Sequence, residues 1–211
     1  MATALLTQLL MEVSPEPLLR ELADKIRGRT VIVYGAGPSL PKHIEEIQSQ
    51  PSLKCATHVA ADGAVRALND MGARCDILVT DLDGIECRIG DYSDEGVLPI
   101  VHAHGDNIPL IRKHLSGSPR TLGSTQVMPT ERAFLWGGFT DGDRACHIVT
   151  HYSPVRVLLA GMDFGRTVGR WSKPSLTENR PADARKRTKM QIGMELLERL
   201  ASRTGQNILF M

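Results

Sequence analysis

Thr30-Val31-Ile32-Val33-Tyr34, running into Gly35-Ala36-Gly37-Pro38-Ser39, is the stretch on which the fold turns. A short, largely β-branched run fits a buried strand. The glycines and proline after it form a tight loop, and Pro38-Ser39 starts a helix. The same order recurs along the chain. Apolar segments near 56–60, 76–79, 98–102, 132–136 and 155–160 alternate with amphipathic or capped stretches near 63–71, 107–115, 141–151 and 183–203. Further strands are expected near 121–128 and at 207–210. This alternation predicts an α/β fold, a mostly parallel Rossmann-like sheet with helices on both faces. Ser14-Pro15-Glu16-Pro17 opens a helix whose stripe is Leu18, Leu19, Leu22 and Ile26. Residues 1–28 therefore read as an N-terminal helical extension and 29–211 as the α/β catalytic domain. Only 163–182, rich in Gly, Arg, Lys and Pro, lacks a periodic pattern, as lids and disordered segments do.

Composition narrows the function classes. Lys and Arg total 25 against 24 Asp and Glu, a formal charge of +1. That balance argues against a broad nucleic-acid or membrane footprint, so neither partner is expected. No apolar run approaches the roughly 18 residues of a membrane helix. Leu5, Leu6, Leu9 and Leu10 have no basic segment before them and are followed by Glu12 and Glu16, unlike a secretory signal. Cys55, Cys75, Cys87 and Cys146 contain no Cys-x-x-Cys pair, and free thiols in a reducing, cytoplasmic compartment are the economical reading. The oligomeric state is left open, a homo-oligomer included.

What ends the strands carries the chemistry. His58-Val59-Ala60-Ala61 runs into Asp62-Gly63, and Ile77-Leu78-Val79-Thr80 into Asp81-Leu82-Asp83-Gly84. Pro99-Ile100-Val101 runs into His102-Ala103-His104-Gly105-Asp106-Asn107. Phe134-Leu135-Trp136 leads to Gly137-Gly138-Phe139-Thr140-Asp141-Gly142-Asp143, and Val157-Leu158-Leu159-Ala160 to Gly161-Met162-Asp163-Phe164-Gly165. In a parallel sheet these ends share one edge, where open α/β folds bind ligands. Carboxylates gathered there repel one another unless cations neutralise them, and a hard divalent ion carrying a phosphate chain is the natural neutraliser. A single Asp-Gly is ordinarily a turn or a cap. Asp81-x-Asp83 directly after a buried strand is harder to explain that way and points to a metal.

Gly35-Ala36-Gly37 resembles the start of a dinucleotide fingerprint, but Leu40 stands where the third glycine belongs. The loop reads either as a phosphate cradle leading to helix amides at Pro38 and Ser39 or as a plain strand-to-helix turn. His102 and His104 suggest zinc only superficially, with no cysteine or complete zincin motif beside them. His104, ahead of Gly105-Asp106, is a candidate phosphate or substrate contact. Arg185, Lys186, Arg187 and Lys189 open the last long helix, after a loop containing Arg166, Arg170 and Lys173. They read as a solvated basic face, or as cations meeting a triphosphate across the acidic edge.

At these blocks the sequence resembles the archaeal 6-hydroxymethyl-7,8-dihydropterin pyrophosphokinases, distant relatives of thiamine pyrophosphokinase. The resemblance rests on Gly35-Ala36-Gly37-Pro38-Ser39-Leu40, Ala61-Asp62-Gly63-Ala64, Thr80-Asp81-Leu82-Asp83-Gly84 and His102-Ala103-His104-Gly105-Asp106-Asn107. Gly138-Phe139-Thr140-Asp141-Gly142-Asp143-Arg144-Ala145 and Gly161-Met162-Asp163-Phe164-Gly165 complete it, in order across residues 31–165. Arg170-Trp171 ahead of Ser172 departs from the family pattern. The resemblance implies a magnesium-dependent diphosphotransferase that uses ATP, releases AMP and serves tetrahydromethanopterin- or folate-type pterin synthesis. It implies Asp81, Asp83 and Asp106 as metal ligands, with Asp62 in support, and Lys173 as a catalytic cation. Nucleotide and phosphate would then meet Gly35, Gly37, Pro38, Ser39, Asp62, Gly63, His104, Asn107, Asp141, Asp143, Lys186 and Lys189. Trp136, Phe139, Phe164 and Trp171 are the aromatics near the strand ends that could stack on a pterin.

Three other readings compete. Thiamine pyrophosphokinase shares the reaction but not the acceptor, and the expected second β-sandwich domain is not evident. A glycosyltransferase-like protein, related to flagellin-modifying proteins, would use Asp81-x-Asp83 for a metal and a nucleotide sugar. A non-catalytic sensor would bind the nucleotide without turnover.

Overall fold

The computed structural model describes residues 1–115, 117 and 120–211. Its centre is an eight-stranded, wholly parallel sheet: β1 Thr30–Tyr34, β2 Thr57–Ala61, β3 Ile77–Thr80, β4 Leu98–Ala103, β5 Leu122–Thr125, β6 Ala133–Phe134, β7 Arg156–Ala160 and β10 Ile208–Phe210. The order across the sheet is β10-β7-β1-β2-β3-β4-β5-β6. Helices α1 Ala2–Leu9, α2 Pro15–Ile26, α3 Leu40–Ser49, α4 Pro51–Lys54, α5 Ala64–Asp70, α6 Ile89–Asp94, α7 Ile108–His114, α8 Asp141–His151 and α9 Ala184–Thr204 surround it.

Period-two alternation divides the strands between two cores. Ile32 and Tyr34 of β1 face the layer of α1, α3, α5, α6 and α7, whereas Val31 and Val33 face α2, α8 and α9. Both faces are covered, which is why the strands read as nearly continuous apolar runs. The 3.6-residue stripe of α2 (Leu18, Leu22, Ile26) and that of α9 (Leu197, Leu200) lie in the same core. α9 stops at Gly205, whose φ of 64° is the left-handed conformation of a helix end.

The structure refines the sequence reading in two places. Residues 1–28 do not stand outside the domain. Leu6 of α1 is fully buried, Thr3 and Thr7 hydrogen-bond Thr125 and Thr130 at 2.8 and 2.7 Å, and α2 contributes to the opposite core. Residues 163–182 are also not featureless. β8 Thr167–Val168 pairs antiparallel with β9 Arg180–Pro181, and a 3₁₀ turn spans Arg170–Ser172. This strap is ordered by close backbone approach rather than by an apolar stripe. A Cβ at Gly169 would overlap the Ala36 carbonyl and the Gly37 backbone, and one at Gly63 would overlap the Trp171 carbonyl. Arg66 donates to the carbonyls of Gly84 and Trp171, both at 3.0 Å.

Candidate active site

Successive strands from β1 step one way across the sheet as far as β6, and the chain then returns to place β7 on the other side of β1. The crevice beyond the carboxyl ends of β1 and β7 is therefore a topological switch point, the usual ligand position in this architecture. A cleft of about 750 Å³ opens there. Its walls come from the loops after β1, β2, β3, β4 and β7, the start of α8, the strap and the start of α9.

Its floor is acidic. One carboxylate oxygen from each of Asp62, Asp81 and Asp141 lies within 4.8 Å of the others, the one such group among the described residues. Local backbone geometry makes this convergence. Asp62 and Leu82 adopt φ of 48° and 79°, a left-handed conformation that side chains other than glycine adopt reluctantly. Both turns are stapled to Thr80. Its hydroxyl donates to Asp62 Oδ1 at 2.6 Å and accepts from the Leu82 amide at 2.8 Å. A Cβ at Gly84 would overlap the Asp62 carboxylate, so the second turn can pass only as glycine.

Burial, then the charge of Asp81, pushes Asp62 up to about 7. Burial with the charges of Asp81 and Asp62 holds Asp141 well above the ordinary carboxylate range. For Asp81 burial is the largest influence and pulls upward, but the hydrogen bonds from His104 and the Asp83 amide, with the charges of the two histidines, together outweigh it and the net shift is down. His104 is raised in turn by that bond, with Asp106 adding to it. Three hard oxygen donors with too little positive charge among them suit a hard divalent cation.

The protonation pattern has a measurable consequence. The metal-free native state keeps protons on Asp62 and Asp141 that the unfolded chain has already lost above roughly pH 4. Their contribution to stability is therefore fullest in acid and is lost as pH rises through the folded values. The melting temperature of metal-free protein is expected to fall between about pH 5 and about pH 8, with magnesium restoring more of it at the upper end. Asp62→Asn should flatten that slope. A metal-free melting temperature that rises over this interval would contradict the acidic floor.

The cluster differs from the trio expected from sequence. Asp81 belongs to it, but Asp62 and Asp141 fill the places given to Asp83 and Asp106. Asp83 and Asp106 also line the cleft but lie outside the cluster: Asp83 holds Lys173 at 2.8 Å, and Asp106, its side chain 84% exposed, pairs with His104 Nδ1. His104 also meets Asp81 through Nε2 at 3.2 Å, so it bridges the cluster to the surface. Asn107 does not line the cleft. It is buried and clamps two strand ends, donating to the Asp81 and His102 carbonyls at 2.9 and 2.7 Å and accepting from the His104 amide. Asp143 is likewise buried in a helix cap, accepting from the amides of Phe139 and Thr140 at 2.6 and 2.7 Å.

The loop after β1 also differs from the expected anion cradle. The amides of Gly35 and Gly37 donate to the Ala160 and Gly161 carbonyls, both at 2.8 Å, and that of Ser39 donates to the Asp163 carboxylate at 3.2 Å. Pro38 has no amide proton. Gly35 and Gly37 serve close packing, since a Cβ at either would overlap the β7 loop. The cleft's positive charge comes instead from side chains. Lys173, Arg180, Arg185, Lys186 and Lys189 line the wall made by the strap and α9. Sequence reasoning left out Arg180 and the buried Arg144, although the Asp141-x-x-Arg144 spacing of one helical turn could have pointed to the latter.

The sequence model of the 6-hydroxymethylpterin diphosphokinase MptE-like family matches residues 6–169. The chain belongs to that family. Among MptE-like relatives, a 6-hydroxymethyl-7,8-dihydropterin pyrophosphokinase of Pyrococcus furiosus is 39% identical over 200 residues, 93% of this chain and 82% of that protein. Proteins of the same name from Methanothermobacter thermautotrophicus and Methanocaldococcus jannaschii are 41% and 36% identical. Those matches cover 79% and 75% of this chain, and 72% and 68% of the relatives. The MptE-like match includes Asp62, Asp81 and Asp141 and ends at Gly169, so Lys173, Lys186 and Lys189 lie beyond it. No described helix is long and apolar enough to cross a membrane.

Proposed function

We propose that this protein transfers the terminal diphosphate of ATP to the hydroxymethyl group of 6-hydroxymethyl-7,8-dihydropterin with magnesium as its metal, in tetrahydromethanopterin- or folate-type pterin synthesis. One observation carries the reading: three carboxylates converge between a cation-lined wall and an open strand edge, in a chain of the MptE-like family. The acceptor's hydroxyl oxygen bonds to the β-phosphorus of ATP. The bond from that phosphorus to the α-phosphate oxygen breaks, AMP leaves with the bonding pair, and the hydroxyl proton passes to solvent.

Asp62, Asp81 and Asp141 are the residues that would hold magnesium, which when bound neutralises phosphate charge and polarises the phosphorus under attack. The remaining work falls to this chain's own groups. Lys173, Lys186 and Lys189, with Arg180 and Arg185, bind and orient phosphate oxygens, and positioning with charge neutralisation is most of what phosphoryl-type transfer requires. The strap over Gly37 and Gly63 limits water at the phosphates.

Lys173 tests that division of labour. Its bond to Asp83 raises its pKa, and it is half exposed, so it contributes little to the fold. Lys173→Ala is expected to lower kcat by about tenfold to a hundredfold while shifting the melting temperature by about a degree or less. Full activity in this variant would remove Lys173 from the phosphate site.

The direct experiment incubates purified protein with ATP, magnesium and each acceptor, and measures the nucleotide released. AMP is expected with 6-hydroxymethyl-7,8-dihydropterin. ADP in its place would exclude diphosphate transfer. Faster turnover of thiamine would move the acceptor assignment to thiamine pyrophosphokinase, and nucleotide binding with no product would leave a sensor.

A further inference from the structure

The order of groups along the strand ends leaves one part of the cleft without a role. β7 and β1 bring the strap and the cations alongside, and Asp62 and Asp81 at the ends of β2 and β3 make the floor with Asp141. Beyond them lies a third region, where β4, the residue after β5, the turn before α8 and the first turn of α8 supply His102, Gln126, Phe139 and Arg144. It carries none of the cleft's lysines.

Two buried polar groups there lack partners. Of the six buried side-chain nitrogens without a hydrogen bond among the described residues, only His102 Nε2 and Arg144 Nε belong to residues lining this cleft. His102 is 2% exposed and Arg144 1% exposed. Leaving a buried donor unpaired is costly, so two together in one wall are expected to serve a ligand. Neither ring nor guanidinium is loosely held. His102 Nδ1 lies 3.2 Å from Ser124 Oγ, and Arg144 donates through its terminal nitrogen to the Gly137 carbonyl at 3.0 Å. A Ser124 hydroxyl that donates to Nδ1 leaves the proton on Nε2, where it can be given to a ligand. Burial keeps the imidazole neutral, pushing it down to about 3. The exposed Gln126 side chain lies close enough to pull the imidazole slightly the other way but makes no well-formed hydrogen bond to Nε2, so it is a cover that a ligand can displace.

Phe139 completes the region. It follows Gly137 and Gly138, whose φ values of 102° and 87° turn the chain sharply, and the Asp143 cap fixes its amide. Its ring is 41% exposed at the rim and stacks on no other aromatic among the described residues.

We propose that His102 and Arg144 read the acceptor's heterocycle, donating to a carbonyl oxygen and the neighbouring unprotonated ring nitrogen, with Phe139 covering one ring face. This rests on the function proposed above. A 7,8-dihydropterin presents that pair of acceptors on the edge that also bears the hydroxymethyl group. Holding this edge against β4 and β5 turns the hydroxyl toward the carboxylate floor, with the phosphates on its far side. The order nucleotide, carboxylates, acceptor then follows the strand order.

The test uses full-length protein saturated with magnesium and a non-hydrolysable ATP analogue, titrated with 6-methylpterin, which cannot accept diphosphate. His102→Asn keeps an amide near Nδ1 and loses the Nε2 donor, whereas His102→Gln places an amide near Nε2. His102→Asn is expected to weaken 6-methylpterin binding by about tenfold and His102→Gln to recover most of it, with affinity for the ATP analogue unchanged. Phe139→Ala, at the rim and outside the core, should weaken the pterin by about fivefold. Equal pterin affinity in the wild type and all three variants would overturn the proposal. A loss confined to the ATP analogue would also overturn it, by placing these donors at the nucleotide. Turnover of wild type with 6-hydroxymethyl-7,8-dihydropterin is measured separately, so the reaction can stand while this assignment falls.

Discussion

Asp81→Asn is expected to lower turnover on the order of a thousandfold while leaving the fold intact. The amide matches the carboxylate in shape and can still accept from the Asp83 amide, which lies 3.2 Å from Asp81 Oδ1. What it lacks is the charge. Of the three clustered carboxylates only Asp81 is lowered, by His104 and the Asp83 amide acting together against burial, and so it is the member most fully ionised at neutral pH without a metal. Losing it removes the anchor of the cation site. Losing a like charge beside Asp62 and Asp141 also relieves repulsion, so the metal-free melting temperature should hold or rise slightly, and magnesium should no longer raise it. AMP release and thermal melts with and without magnesium measure both effects. Asp83→Asn and Asp106→Asn separate the structural cluster from the sequence-based trio. Each should cost about tenfold or less, since these residues hold Lys173 and His104. Near-normal turnover in Asp81→Asn would sink the metal assignment, and collapse of the fold would make Asp81 structural.

Asn107→Ala should produce the largest loss of stability among the polar residues of the strand-end loops. The side chain makes three hydrogen bonds from a buried position, and together they tie the end of β3 to the turn after β4. Alanine leaves two carbonyls and one amide without partners, a cost of about 2–4 kcal/mol. For a chain of this size that corresponds to a melting temperature lower by roughly 5–12 °C. Turnover should fall as well, because Asp81 and His104 are positioned by the same clamp. A shift of about a degree or less would show that water replaces the side chain without loss.

The alternation of strands and helices and the carboxylates at the strand ends were legible in the amino-acid order. Both are local. Strand and helix periods are printed in the spacing of Val31, Val33 and Leu18, Leu22, Ile26, and Asp62 and Asp81 follow buried strands directly in the chain. The family was legible in ordered blocks for the same reason, since each is a short run tied to one strand end.

Tertiary structure alone decided which carboxylates meet and what the glycine loop does. Asp62 and Asp141 join Asp81 because β2 pairs with β3 while α8 delivers Asp141 from 60 residues further along the chain, and left-handed turns at Asp62 and Leu82 aim the side chains. Asp83, two residues from Asp81, stays out of the cluster and pairs with Lys173 inside the same cleft. The amides of Gly35 and Gly37 looked available for phosphate until β7 was placed beside β1, where Ala160 and Gly161 take them. Local patterns specify a residue's conformation and its face. They do not specify which distant strand becomes its neighbour, and that choice directs both the charges and the free donors of the cleft.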